Sequence, residues 1–73
     1  LQQRNDDEWM KYMKRAADAG LTVAQHNLGV HLLEQQKDFS EAMRYFRAAS
    51  NAGFIHSTFN LGLMYLNGQG MAS

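Results

Sequence analysis

Apolar and small residues recur along this chain at helical spacing and are cut off by glycines. Trp9, Tyr12, Met13 and Ala16 stand at i, i+3, i+4 and i+7, one face of a helix expected over about 6–19. Asn5, Asp6 and Asp7 offer N-cap oxygens, Asp6 to Glu8 suit the positive end of the helix dipole, and Gly20 can turn left-handed at the far end. A second helix is expected over about 23–34, capped by Thr22, with Ala24, Leu28 and Leu32 four apart and Asn27 and His31 beside them. Gly29 lies in its middle, where glycine costs about 1 kcal/mol relative to alanine, so it is expected to admit a neighbouring backbone or bulky ring. After the polar link Gln35–Asp38, a third helix over about 39–52 repeats the first face as Ala42, Tyr45, Phe46 and Ala49. Asp38 or Ser40 is its expected cap, and Gly53 its stop. A fourth, over about 56–66, carries Phe59, Gly62, Leu63, Tyr65 and Leu66 and runs out at Asn67-Gly-Gln-Gly70, leaving Met71-Ala-Ser73 as expected loop or disorder. The pattern predicts an all-α chain.

The pattern is also periodic on a longer scale. Sliding the chain by 33 residues aligns 8–36 with 41–69 and makes 11 of 29 positions identical, from Glu8/Glu41 and Tyr12/Tyr45 to Asn27/Asn60, Leu28/Leu61 and Gly29/Gly62. About two matches would arise from ordinary residue frequencies. Two helices per 33 residues is the signature of stacked helical hairpins. The expected architecture is a single α-solenoid fragment over 1–73, with two helix-turn-helix repeats at about 6–37 and 38–70. The recurring residues have packing or turning roles in this reading. Ala16, Ala49, Gly29 and Gly62 let helices approach, and Tyr12, Tyr45 and Tyr65 fill the space between. Leu at position 62 should then overpack the hairpin by roughly 1–3 kcal/mol. Asn27 and Asn60 are expected to hydrogen-bond nearby backbone.

The second copy reads Ala42-x-x-Tyr-Phe-x-x-Ala-x-x-Ala-Gly53, then Ser57-x-x-Asn-Leu-Gly-x-x-Tyr-x-x-Gly-x-Gly70. It resembles the Sel-one-like repeat, a relative of the tetratricopeptide repeat, over about 8–70. The signature positions are Tyr12, Ala16, Gly20, Asn27, Leu28 and Gly29 in the first copy. In the second they are Tyr45, Ala49, Gly53, Asn60, Leu61, Gly62, Tyr65, Gly68 and Gly70. The first copy departs from the pattern: Trp9 replaces a small residue, Leu32 replaces the tyrosine, and Glu34-Gln-Gln-Lys37 lacks the Gly-x-Gly loop. The resemblance implies a superhelical scaffold that binds proteins, with the first helix of each repeat lining the concave side.

Composition narrows the function classes. At 73 residues, 45% hydrophobic, the chain has enough apolar content for a packed core and is at the small end of what folds unaided. Seven basic and seven acidic side chains balance, so no overall field draws in nucleic acid or an anionic membrane. No apolar run approaches a membrane span, and the opening Leu1-Gln-Gln-Arg-Asn-Asp6 is not read as a signal peptide. Nothing in the residues indicates a compartment. Cysteine is absent, and His26, His31 and His56 lack the spacing and companions of a metal site. Neither metal nor cofactor is expected. No serine sits in a nucleophile elbow and no glycine-rich loop opens a helix after a strand, so an enzyme is not expected.

Protein binding is the function the sequence supports, as a scaffold or adaptor engaging a partner protein or peptide. Lys11 and Lys14 recur as Arg44 and Arg47, a stripe that stacking would align toward a partner with an acidic segment, or a merely solvated face. Trp9, standing where the repeat has alanine, either caps an open core edge or plugs into a neighbour. Two repeats are fewer than the three or more a solenoid usually needs. Phe59, Leu63 and Leu66 should therefore lack a covering helix, which suggests part of a longer array or of a multi-chain complex. The alternative function is a structural subunit held by end-to-end helix packing. RNA binding in the manner of pentatricopeptide repeats has charge neutrality and the Asn-Leu-Gly marks against it.

Overall fold

Four helices form where the periodicity placed them. A computed structural model of the chain describes residues 2–69, with side chains from Asn5 onward; Gly70 and the expected tail Met71–Ser73 lie outside the described residues. Helix α1 spans Gln2–Asp18, α2 Thr22–His31, α3 Phe39–Asn51 and α4 Ile55–Asn67. Between α2 and α3 the helix widens into a π-helical turn, Leu32–Gln36.

Three helix ends are built alike. Gly20, Gly53 and Gly68 take φ of +100°, +94° and +71°. Each glycine N–H bonds three residues back, and the next N–H reaches five back: Leu21 to the Ala16 carbonyl at 3.0 Å, Phe54 to Ala49 at 3.0 Å and Gln69 to Met64 at 2.9 Å. This is the Schellman motif, and the positive φ it demands is why glycine stands there. The 33-residue offset pairs Gly68 with Gln35, so α2 has no glycine at its corresponding stop. The helix therefore widens and continues until Lys37, which takes the left-handed turn itself at φ 56°. Both the Lys37 and Asp38 N–H groups converge on the Leu32 carbonyl.

Helix starts depart from the expected caps. α1 already begins at Gln2, so Asn5, Asp6 and Asp7 lie within the helix and do not cap it. Gln2, Gln3 and Arg4 are good helix formers with no proline or glycine among them, and nothing halts the helix at Asp6. The N-cap of α2 is Leu21, which has no side-chain hydrogen bond to give; Thr22 is already helical. Asp38 does cap α3, its Oδ1 accepting from the Glu41 N–H at 3.3 Å.

Each helix packs against the next, α2 against both α1 and α3, and α3 against both α2 and α4. Phe46, Leu28 and Met64 are the largest fully enclosed apolar side chains, surrounded by Ala24, Leu32, Ala42, Met43 and Tyr45. Gly29 sits against the flat of Phe46: a Cβ there would stand 2.7 Å from Phe46 Cε1. The expected ring-on-glycine approach is present in α2. In α4 it is not. Gly62 has open space where a Cβ would project, so the expectation that leucine there would overpack this fold is wrong. The reason is position in the stack: among the described residues no helix lies over Gly62 as α3 lies over Gly29.

The same reason separates the two tyrosine faces. Tyr45 is 4% exposed and Tyr12 57%, although both occupy the same place in their repeats. A helix in the middle of the stack is covered on two sides, and α1 only on one. Among the described residues, neither Asn27 nor Asn60 makes the expected side-chain hydrogen bond, and Asn27 is exposed. The polar ties between helices come from other residues. Gln25 Nε2 donates to the Ala17 carbonyl at 3.1 Å, and Ser50 Oγ meets Thr58 Oγ1 at 2.5 Å.

Candidate functional site

Residues four, seven and eleven apart share one face of a helix. On α3 that face is Ser40, Arg44, Arg47 and Asn51, with Met43 and Ala48 beside it. Together with Tyr65 from α4 these residues line an open groove of about 580 Å³. The apolar floor is supplied by Met43 and Ala48, the polar rim by the rest. Among the described residues no carboxylate lines it.

The two arginines are held differently. Arg44 forms a two-point ion pair with Glu41, Nε to Oε1 at 2.9 Å and an Nη to Oε2 at 3.2 Å, and its guanidinium lies 4.4 Å from the centre of the Tyr45 ring. That hydrogen bond, together with the charges of Arg44 and Lys14, holds the Glu41 carboxyl below its usual range despite some desolvation. The same pairing pushes Arg44 further up, so its charge is permanent. Arg47 instead donates to the Tyr65 hydroxyl at 2.9 Å, a neutral partner. Burial raises the Tyr45 phenol, whose hydroxyl bonds Asp18 at 3.4 Å and so ties α3 to α1. Exposed pairs of this kind contribute little stability, so the guanidiniums remain available to a ligand.

Of the five candidate partner-binding residues, the groove brings together Arg44 and Arg47. Lys11 and Lys14 are exposed on α1 outside the groove, with Lys11 Nζ 5.8 Å from the centre of the Tyr12 ring. Trp9 is 39% exposed and tilts against His31, ring centres 4.9 Å apart, at another edge of the molecule. Tyr65, read from the sequence as a packing residue, is half exposed and forms one wall of the groove. Ser40 was read from the sequence only as a possible helix cap and Asn51 was given no role, although their spacing with Arg44 and Arg47 was the signal that could have placed both beside the arginines.

A second cluster joins α2 to α4. His26 Nδ1 lies 2.7 Å from Ser57 Oγ, which is fully enclosed, and the His26 ring tilts against Phe46, Phe54 and His56. Desolvation first, then repulsion from His56, lowers the His26 pKa. An enclosed serine offers no path to a substrate, so this pair is a structural tie. The sequence concealed it, since the offset sets Ala24 against Ser57 and His26 against Phe59.

The Sel1 repeat model matches residues 4–21, 22–54 and 55–73. The chain belongs to the Sel1 repeat family. The middle match covers 33 residues, the period of the internal repeat, and frames α2 with α3. Sel1 repeats mediate protein–protein interaction and form a family of non-catalytic repeat scaffolds. No curated protein and no solved structure shows a significant match to this Sel1 repeat chain. Among the described residues no helix is long and apolar enough to cross a membrane.

Proposed function

We propose that this chain is an adaptor module that holds an acidic segment of a partner protein in the α3–α4 groove and performs no catalysis. The observation that carries this reading is the groove lining: two guanidiniums one helical turn apart over an apolar floor, with no carboxylate among the lining residues. Arg44 shares its charge with Glu41, whereas the hydrogen-bond partner of Arg47 is the neutral Tyr65 hydroxyl, so Arg47 is the stronger anchor. Lys14, close enough to depress Glu41, would extend the contact along α1, with Lys11 and Trp9 further out.

The probe is a labelled dodecapeptide alternating Glu and Leu, compared with its Gln-for-Glu counterpart by fluorescence anisotropy. The acidic peptide should bind, more weakly as salt rises, and the Gln peptide should not. Changing Arg44 and Arg47 together to Glu should abolish binding; adding Lys11→Glu and Lys14→Glu should have a smaller effect. Equal affinity for both peptides, or unaltered binding by the arginine-reversed chain, refutes the groove assignment.

A second reading, a subunit held in an assembly by its open end, is favoured by the exposure of Phe59, Leu63 and Leu66 on α4.

A further inference from the structure

Helices α2 and α4 carry no Asp, Glu, Lys or Arg. The repeat offset sets His26 against Phe59 and His56 against Val23, so it pairs no histidine with another. Packing of the two hairpins nevertheless brings the His26 and His56 rings to 6.4 Å between centres, with Phe54 4.9 Å from the first and 5.9 Å from the second. His31 is left out, its ring tilted against Trp9. The two neighbouring rings are held differently. His26 Nδ1 lies 2.7 Å from Ser57 Oγ, a fully enclosed hydroxyl on a residue whose N–H bonds the Phe54 carbonyl at 3.0 Å. That hydroxyl can accept as well as donate, so the tautomer with the proton on Nδ1 keeps the bond and leaves the Nε2 lone pair to a ligand. A histidine oriented through its other nitrogen by an enclosed polar group is the usual support of a metal ligand. His56 is exposed and free to turn. With metal–nitrogen bonds of about 2.0–2.1 Å, two imidazoles on one tetrahedral ion have ring centres about 5 Å apart, so rotation of His56 has about 1 Å to close. Neither helix bears a cation that would repel the ion.

We propose that His26 and His56 form a two-imidazole site for a late divalent transition-metal ion, Cu²⁺, Ni²⁺ or Zn²⁺, which staples α2 to α4. Imidazole nitrogen suits these ions, whereas Mg²⁺ and Ca²⁺ take oxygen ligands. Among the described residues no group of three or more His, Cys, Asp or Glu side chains gathers around an ion, so water fills the remaining positions. With nothing but two nitrogens to select the metal, affinity follows the general order in which Cu²⁺ exceeds Ni²⁺ and Zn²⁺. The consequence is mechanical. His26–Ser57 is the one side-chain hydrogen bond between α2 and α4 among the described residues, and the ion adds a second link beside it. Thirty residues separate the two histidines in the chain, so the pair exists only in the folded state, and an ion that holds both favours that state. The site shares no residue with the arginine groove and stands or falls separately from it.

The test melts the untagged chain, followed by circular dichroism, with Cu²⁺, Ni²⁺, Zn²⁺ or Mg²⁺ in a buffer that does not chelate. Each tenfold rise in free Cu²⁺ beyond its Kd should raise Tm by roughly 5–10 °C; Ni²⁺ and Zn²⁺ should need higher concentrations, and Mg²⁺ should do nothing. His56→Ala should melt like the unaltered chain without metal and lose the rise, and His31→Ala should keep it. Changing His26 also removes the Ser57 bond, so its part is read by NMR on the unaltered chain. Zn²⁺ should shift the ring C–H signals of His26 and His56 together, at one ion per chain, and leave those of His31 in place. No rise with Cu²⁺, a rise that survives His56→Ala, or His31 signals that move with the others overturns the proposal. So does a Zn²⁺-dependent dimer in sedimentation, which would place the ion between copies.

Discussion

Alanine placed at the two equivalent glycines should change stability in opposite directions. At Gly29, a Cβ would lie 2.7, 2.8 and 3.0 Å from Phe46 Cε1, Cδ1 and Cζ, all inside contact distance. Phe46 is fully enclosed, so its ring has no solvent-side space into which to move. Overpacking of this kind costs about 1–3 kcal/mol. The better helix propensity of alanine returns about 1 kcal/mol, leaving a net destabilisation of roughly 0–2 kcal/mol. At Gly62 the propensity gain stands alone, because nothing lies within 4 Å of the new methyl group. Gly62→Ala should therefore stabilise by about 1 kcal/mol. Propensity cancels in the difference between the twins, which isolates the ring clash at about 1–3 kcal/mol. Urea unfolding followed by far-UV circular dichroism measures both, and for a domain this small each kcal/mol moves Tm by roughly 4–8 °C. Shrinking the ring by Phe46→Leu in the Gly29→Ala background should recover part of the loss, giving a non-additive double-mutant cycle. Equal shifts at the two glycines, or an additive cycle, would refute the close-approach account of Gly29.

Other consequences concern helix ends and protonation. Gly20→Ala and Gly53→Ala meet no neighbouring atom, yet each must hold a methylated residue near φ +100° and +94°; a loss of about 1–2 kcal/mol in urea unfolding is expected, and no change would contradict the conformational argument. Asp38→Ala removes the side-chain acceptor of the Glu41 N–H and should cost about 1 kcal/mol, with Asp38→Asn largely retaining the cap. For His26 the folded chain prefers the neutral ring, so the unfolded chain binds the proton more readily below its ordinary pKa of 6.5. Stability should be fully present above about pH 6.5 and decline as pH falls through the lower folded value. His26→Phe should reduce that decline; an unchanged pH profile of the urea midpoint would exclude His26 as its source.

Much of this molecule follows from local rules that residues carry with them. Glycines 20, 53 and 68 end helices because a left-handed turn is cheap only there, and the 3.6-residue spacing of Ala42, Tyr45, Phe46 and Ala49 marks a buried face wherever a neighbour exists. The helices, their order and the 33-residue unit were legible for that reason. Lys11, Lys14, Arg44 and Arg47 were expected as one stripe from the repeat offset, and of these four the groove is lined by Arg44 and Arg47. What the sequence could not say is which of two near-identical faces is covered. Tyr12 and Tyr45, like Gly29 and Gly62, are the same residues at the same repeat position, and only the stack distinguishes them. Burial is a property of neighbours, and interior helices have two where terminal helices have one. The groove depends on tertiary structure in the same way, since Tyr65 reaches Arg47 only when α4 packs on α3. The His26–Ser57 tie needs three helices in place before the two atoms meet. Local periodicity determined what this chain folds into; packing between helices decided which of two like faces is covered.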